Sequence, residues 1–176
     1  MNQSLQKRTK IKMEKIYFTF LESPIGPIKI VGDETHITEV VFVEEAGNPS
    51  KNIPNHLNNC KEQLSAYFQN KLKVFDLPLN PAGTDFQKQV WQKLLQIHYG
   101  KSQSYKAIAQ QLGDVKKIRA AASANGKNPI AIIIPCHRVI GSNGSLTGYA
   151  GGLERKEWLL KHEGVIKQNN EQLSLF

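Results

Sequence analysis

A change of hydrophobic period at Asn80-Pro81-Ala82-Gly83 constrains this 176-residue chain more than any other feature. Before it, apolar side chains fall in short or alternating runs at residues 16–21, 28–31 and 37–43. Pro24-Ile25-Gly26-Pro27 and Gly32-Asp33-Glu34 punctuate those runs, a pattern that predicts an antiparallel meander. Leu57, Leu64, Tyr67 and Phe68 then recur at helical spacing within residues 55–70. Residues 72–79 read as one more strand.

After the break the period is helical. Thr84-Asp85-Phe86-Gln87 is a capping box, and Phe86, Val90, Trp91, Leu94 and Leu95 line one side of the helix it opens. Gly100 is expected to end that helix. Ser104 caps a short helix running to Gly113, and Asp114 caps another that ends near Asn125-Gly126. Residues 130–134 are continuously apolar and read as a buried strand stopped by Pro135. Asn143-Gly144 is a two-residue hairpin signal. A glycine-rich loop, residues 148–152, leads into a last helix through Trp158, Leu159 and Leu160 to Gly164.

The expected fold is therefore α/β of the α+β kind. A flexible basic tail covers residues 1–14, and a small β-rich domain with one helix covers 15–80. A mostly helical domain with a helix-turn-helix and Cys136 covers 81–166, and a tail covers 167–176. An apolar fraction of 40% with eight prolines excludes a disordered chain or a fibre. No apolar run approaches the length of a membrane span, and the polar, basic start is no secretory signal. Two cysteines, Cys60 and Cys136, cannot build a disulfide framework, so a reducing cytoplasm is expected.

The net charge is +8, and its distribution is uneven. Residues 84–166 hold twelve basic side chains against five acidic ones, whereas residues 16–83 hold five against eight. A basic second half suits a polyanion, most often nucleic acid. A solvated basic surface is the equal alternative on charge alone. Two short helices joined by a glycine-containing turn resemble a helix-turn-helix. The second carries Lys116, Lys117 and Arg119 beside Ala120-Ala121-Ala122-Ser123-Ala124. Small side chains there allow close approach to a groove, or equally to a neighbouring helix.

Cys60 lies in a helix pattern and reads as a small core residue. Cys136 follows a strand-stopping proline and so sits at the mouth of the sheet. His137 and Arg138 beside it favour the thiolate, the nucleophilic form. In an extended segment neighbouring side chains diverge, so a bridging water suits the Cys136–His137 pair. A basic histidine needs an orienting partner, for which Glu163 is the nominated carboxylate.

Ile134-Pro135-Cys136-His137-Arg138-Val139-Ile140 resembles the active-site signature of the O6-alkylguanine-DNA alkyltransferases. Gly83-Thr84-Asp85-Phe86-Gln87 with Val90-Trp91, Ser104-Tyr105, Arg119-Ala120 and Gly126-Lys127-Asn128-Pro129 follow the same family order. So do Tyr149-Ala150-Gly151-Gly152, Lys156-Glu157-Trp158-Leu159-Leu160 and Glu163-Gly164. The likeness spans residues 80–165, and the first half agrees more loosely with the family's variable N-terminal domain.

The resemblance implies a suicide repair protein that flips alkylated guanine, and alkylated O4 of thymine, out of duplex DNA and keeps the alkyl group on Cys136. It implies roles for His137 as base through water, for Glu163 as its holder and for Tyr105 as donor to the departing guanine. Asn128 would order the active-site loop. Arg119 would fill the gap in the base stack, with Tyr105, Ala120, Ser123 and Arg138 also at the DNA. Tyr149, Ala150 and Val139 would line the pocket. It implies no cofactor, and a monomer. His98-Tyr99-Gly100 replaces a proline-containing turn, and Ala150 stands where some relatives have serine. Cys60, His36 and His56 do not reproduce the zinc set of some relatives, so no metal is expected.

Gln172-Leu173-Ser174-Leu175-Phe176 resembles the short peptide by which bacterial repair proteins dock on the sliding clamp, implying a bacterial source. Packing of this tail on its own domain is the alternative. Three other readings compete: a helix-turn-helix regulator without chemistry, a cysteine hydrolase using Cys136 and His137, and a damage sensor. Known hydrolase pairs come from separated segments, and sensors of this kind lack the cysteine.

Overall fold

The structure, a computed structural model, describes residues 15–167. Strands β1 (Tyr17–Leu21), β2 (Ile28–Gly32) and β3 (Ile37–Phe42) form an antiparallel sheet in chain order. Tyr17, Thr19 and Leu21 of β1 and Ile28 and Ile30 of β2 turn to the buried face, as period two requires. Helix α1 (Asn55–Phe68) closes that face with Leu57, Cys60, Leu64 and Tyr67, spaced three and four apart.

Residues 72–79 form no strand. Ile37 N–H donates to Pro78 O and Asn80 N–H to Ile37 O, leaving one parallel bridge at Leu79. Pro78 has no N–H with which to extend the ladder, and Val74 is turned to solvent.

Helix α2 (Asp85–Leu95) opens on the expected capping box: Gln87 N–H donates to Thr84 Oγ1 and Thr84 N–H to Gln87 Oε1. It stops at Leu95, short of Gly100, and Leu95 is exposed rather than on the packed side. Strand β4 (Gln103–Ser104) leads into α3 (Tyr105–Gln111), capped by the Ser104 hydroxyl. Asp114 caps a 3-10 turn at Val115–Lys117 that runs on into α4 (Ile118–Gly126). Trp91 Nε1 donates to Ala124 O at 2.9 Å and fixes α2 on α4.

The apolar run at 130–134 is buried but is not a strand. Ile130 makes one parallel bridge to Val40. Ile132 then adopts φ +70° and the chain turns, with Ile134 N–H donating to Ile130 O. A β-branched residue in that region costs about 1–3 kcal/mol and persists only where its surroundings over-determine it. Here the Asn128 amide accepts from Ile130 N–H and donates to the carbonyls of Ile130 and Ile134. Asn143-Gly144 does form a tight turn, Gly144 N–H donating to Gly141 O. It links no antiparallel pair, because β5 (Val139–Ile140) runs parallel to β4. Helix α5 (Leu153–His162) ends the described chain apart from its short exit.

Apolar side chains from both sides of Gly83 form one contiguous core. Ile30, Ile37 and Leu64 belong to the same cluster as Leu94, Ile108 and Leu159. Cys136 lies in that cluster, where the first half backs the second.

Candidate active site

Pro135 ends the turn at 130–134, and Cys136–Arg138 forms a 3-10 helix rather than an extended segment. Cys136 N–H donates to Ile134 O and Arg138 N–H to Pro135 O. Cys136 is 5% exposed and His137 wholly buried, so neither lies at an open mouth.

Glu163, the C-cap of α5, is the hub of the site. Its Oε1 accepts from His137 Nε2, from the Tyr67 hydroxyl, each at 2.8 Å, and from Arg138 Nη2 at 3.0 Å. Its Oε2 accepts from Arg138 Nε at 2.8 Å. Burial alone would raise this carboxyl, but the hydrogen bonds and charges of His137 and Arg138 win and hold it at about 2. It is therefore an anion that can only accept. The shared proton must sit on His137 Nε2, leaving Nδ1 with a bare lone pair. Nδ1 is buried and has no partner among the described residues. Burial also holds His137 below its ordinary value against the pull of Glu163. The imidazole is thus a neutral base at pH 7.

Asn128 Nδ2 donates to Cys136 Sγ at 3.1 Å, and Asn125 Nδ2 to Cys136 O at 3.3 Å. Burial pushes the Cys136 thiol up, opposed by the Asn128 amide, the positive Lys156 and nearby backbone N–H groups. The source of positive charge is thus not the one the sequence suggests. Arg138 is 6% exposed and bound to Glu163 and Ile97 O. It neither faces the thiol as a free cation nor reaches a surface where DNA could bind. Lys156 is the cation whose charge bears on the thiol.

Lys156 is fully buried, and its Nζ donates to Val139 O at 2.6 Å and Thr147 O at 2.7 Å. Burial brings it down to about 8, opposed by Cys136. Its signal in the sequence was helical spacing: Lys156 shares the buried side of α5 with Leu159, Leu160 and Glu163.

Tyr105, first residue of α3, donates its hydroxyl to Thr147 O and Gly148 O. Tyr149 packs edge-on against Phe42 of β3, and its buried hydroxyl lacks a partner among the described residues. Burial raises both phenols, and Cys136 adds to each, so both stay protonated donors beside the sulfur. Val139 is buried in β5 and Ala150 is exposed in the loop. A Cβ on Gly151 would come within 2.8 Å of both Tyr149 and Phe42, so only glycine fits there. Arg155 binds Gly151 O and Ile25 O and lies over the Phe42 ring, tying this loop to the first half.

Arg119, Ala120 and Ser123 share the exposed face of α4, with Ala121, Ala124 and Asn125 on the packed face. Cys60 is sealed in α1, where burial pushes its thiol up to about 12. No group of three or more His, Cys, Asp or Glu among the described residues could hold a metal ion.

Residues 85–165 match the family model described as 6-O-methylguanine DNA methyltransferase, DNA binding domain. Residues 16–81 match the ribonuclease-like domain of the same description. A methylated-DNA–protein-cysteine methyltransferase of Methanosarcina barkeri is 50% identical over 162 residues, covering 88% of this chain and 99% of that one. One from Mycobacterium tuberculosis is 45% identical, covering 84% of this chain and 92% of that protein. The crystal structure of Mycobacterium tuberculosis O6-methylguanine methyltransferase superposes with a TM-score of 0.76 at 44% identity, covering 85% of this chain and 93% of its own. A structure of Mycobacterium tuberculosis OGT in complex with DNA gives 0.76 over 84% of this chain and 92% of its own.

Proposed function

Because the chain belongs to the 6-O-methylguanine DNA methyltransferase family, it is a DNA-binding methyltransferase that moves a methyl group from DNA to its own cysteine, and we propose that Cys136 is that cysteine. The observation that carries the assignment is a sulfur hydrogen-bonded by an amide and followed in the chain by an imidazole with one bare nitrogen. Asn128 donates to Cys136 Sγ, and the adjacent His137 has its Nε2–H committed to Glu163 and Nδ1 free. Cys60 has no such neighbourhood.

The reaction follows from those groups. Through a bridging water, His137 Nδ1 takes the thiol proton, and Lys156 and the Asn128 amide favour the resulting thiolate. Sulfur attacks the alkyl carbon on guanine O6. The S–C bond forms, the C–O6 bond breaks and its electron pair stays on guanine. In this reading the Tyr105 hydroxyl, turned from Thr147 O and Gly148 O, gives its proton to the purine anion, and the thiol proton taken up by His137 restores the phenol. The thioether is stable, so each molecule acts once. The same displacement serves a methyl on O4 of thymine.

A duplex hides the reacting atom, so the nucleotide must swing out. The exposed face of α4 suits a shallow groove, with small Ala120 and Ser123 allowing close approach and Arg119 filling the vacated stack by its flat cation. An Arg119→Ala protein should transfer from duplex at least about tenfold more slowly, the equivalent of about 1.4 kcal/mol. Its reaction with a free O6-alkylguanine base should be unchanged, and equal loss on both substrates would remove Arg119 from base extrusion. Duplex affinity should fall steeply with salt.

We place the protein in the cytoplasm on DNA, as a monomer. No helix among the described residues is long and apolar enough to cross a membrane. Gln172, Leu173, Leu175 and Phe176 lie outside the described residues, and clamp docking rests on their sequence. Deleting residues 172–176 should abolish binding to a bacterial sliding clamp and spare alkyl transfer; retained clamp binding contradicts it. The function itself is tested on the DNA: O6-methylguanine should vanish from a duplex up to one lesion per protein. Continued loss beyond that ratio would mean a turning-over enzyme of another kind.

A further inference from the structure

We propose that Tyr67, from the first half of the chain, is a positioning residue for the transfer reaction: its hydroxyl holds the carboxylate that holds the base. The inference rests on the reading that Cys136 is the acceptor and His137 its base.

Tyr67 ends the buried stripe of α1, and its ring is wholly buried. Four rings fix its plane: His162 at 5.0 Å, Phe68 at 5.4 Å, Phe75 at 5.5 Å and Tyr99 at 6.1 Å between centroids. A ring so confined aims its hydroxyl in one direction. The hydroxyl donates to Glu163 Oε1, the oxygen that also accepts His137 Nε2–H. Among the described residues, it is the one hydrogen bond to this carboxylate from before Gly83. The others come from the turn that carries Cys136.

This has an electrostatic consequence. An oxygen that shares its charge among three donors attracts each less than an oxygen with two. Without the Tyr67 hydroxyl, Glu163 would bind the imidazolium more strongly, and His137 would hold a proton at higher pH. The other groups facing this pair do not change. Arg138 and Lys156 oppose a positive imidazole, and the phenols of Tyr99 and Tyr149 face Glu163 and Cys136. Tyr67 thereby adds to burial in keeping the base free at neutral pH, and the first half takes part in the chemistry without touching the lesion.

Tyr67→Phe keeps the ring and removes the donor. Single-turnover transfer from an O6-methylguanine duplex would be followed across pH, beside duplex affinity and thermal stability. The acid limb of the rate profile should move up by about one pH unit, a tenfold loss below it. Duplex affinity should be unchanged, and the rate on the alkaline plateau should stay within about twofold. A ring-fluorinated tyrosine at position 67 is a stronger donor of nearly the same size, and should move the limb the other way. It serves equally if the phenylalanine protein fails to fold. A limb that stays in place in both proteins overturns the proposal, even if stability falls. Absence of transfer by the unaltered protein would instead overturn the function on which the proposal rests.

Discussion

A Cys136→Ala protein should accept no alkyl group and still bind duplex DNA carrying O6-methylguanine as tightly as the unaltered protein. The sulfur is the bond-forming atom, so the loss is complete rather than graded. Nothing near it can substitute. Cys60 is sealed in α1 with its thiol pushed up to about 12, and a serine at 136 would present the alkyl carbon with a far weaker nucleophile than a thiolate. The fold should tolerate the change. Asn128 Nδ2 loses the sulfur but keeps Ile130 O and Ile134 O, so the cost is about 1 kcal/mol. Arg119, Ala120 and Ser123 are exposed on α4, outside the turn that carries Cys136, and are untouched. Titration of labelled duplex with both proteins, followed by an assay of the bound lesion, separates the two properties. A helix-turn-helix regulator without chemistry predicts the contrary, with the alanine protein indistinguishable in every respect.

Glu163→Ala should be the most damaging single change to the fold. It strands the Tyr67 hydroxyl without a partner in the interior, leaves the buried Arg138 guanidinium without its counter-charge and with Ile97 O as its remaining hydrogen-bond partner, and releases His137. Breaking a buried pair in this way costs about 3–5 kcal/mol, against a total stability of about 5–15 kcal/mol. Acid should have a related effect on the unaltered protein. The Glu163 carboxyl stands at about 2 against an ordinary value of 4.5, so its stabilisation is complete above pH 4.5 and lost as the pH falls towards 2. That shift corresponds to about 3 kcal/mol. His137 acts in the same direction at higher pH. Its folded value lies below the ordinary 6.5, so the unfolded chain binds the proton first and stability declines as pH drops below 6.5. Urea unfolding at pH 7, 5 and 3 checks both. The stability gap between the unaltered protein and Glu163→Gln should narrow steadily below pH 4.5. A constant gap would mean that the carboxylate is not the buried anion described.

What could be read beforehand was whatever has a local cause. The capping box at Thr84 and Gln87 and the Ser104 cap were legible because each needs only residues three apart. The meander was legible from period two and its turn residues. Residues 130–134 misled because a β-branched run signals a strand, whereas Asn128 supplies the backbone with different partners and Ile132 reverses the chain. Residues 72–79 failed for a similar reason at Pro78. In the site, the sequence named Cys136, His137, Glu163 and Asn128, and the structure hydrogen-bonds them as two pairs, Asn128 with Cys136 and His137 with Glu163. The sequence nominated Glu163 for His137, where the structure has a hydrogen bond, but it gave no partner for Arg138 or Tyr67. Arg138 next to a cysteine looks like a free charge until α5 brings Glu163 against it. Tyr67 looks like core until its hydroxyl is seen on that same carboxylate. Lys156 was hidden because a lysine on the buried side of an amphipathic helix is ordinarily taken as its edge.

The most direct measurement is an intact-protein mass spectrum after incubation with a duplex containing one O6-methylguanine. The account predicts a gain of one methylene's mass, saturating at one per protein and mapping to the peptide that contains Cys136. No gain despite binding of the duplex, or a gain mapping to any other residue, would contradict it.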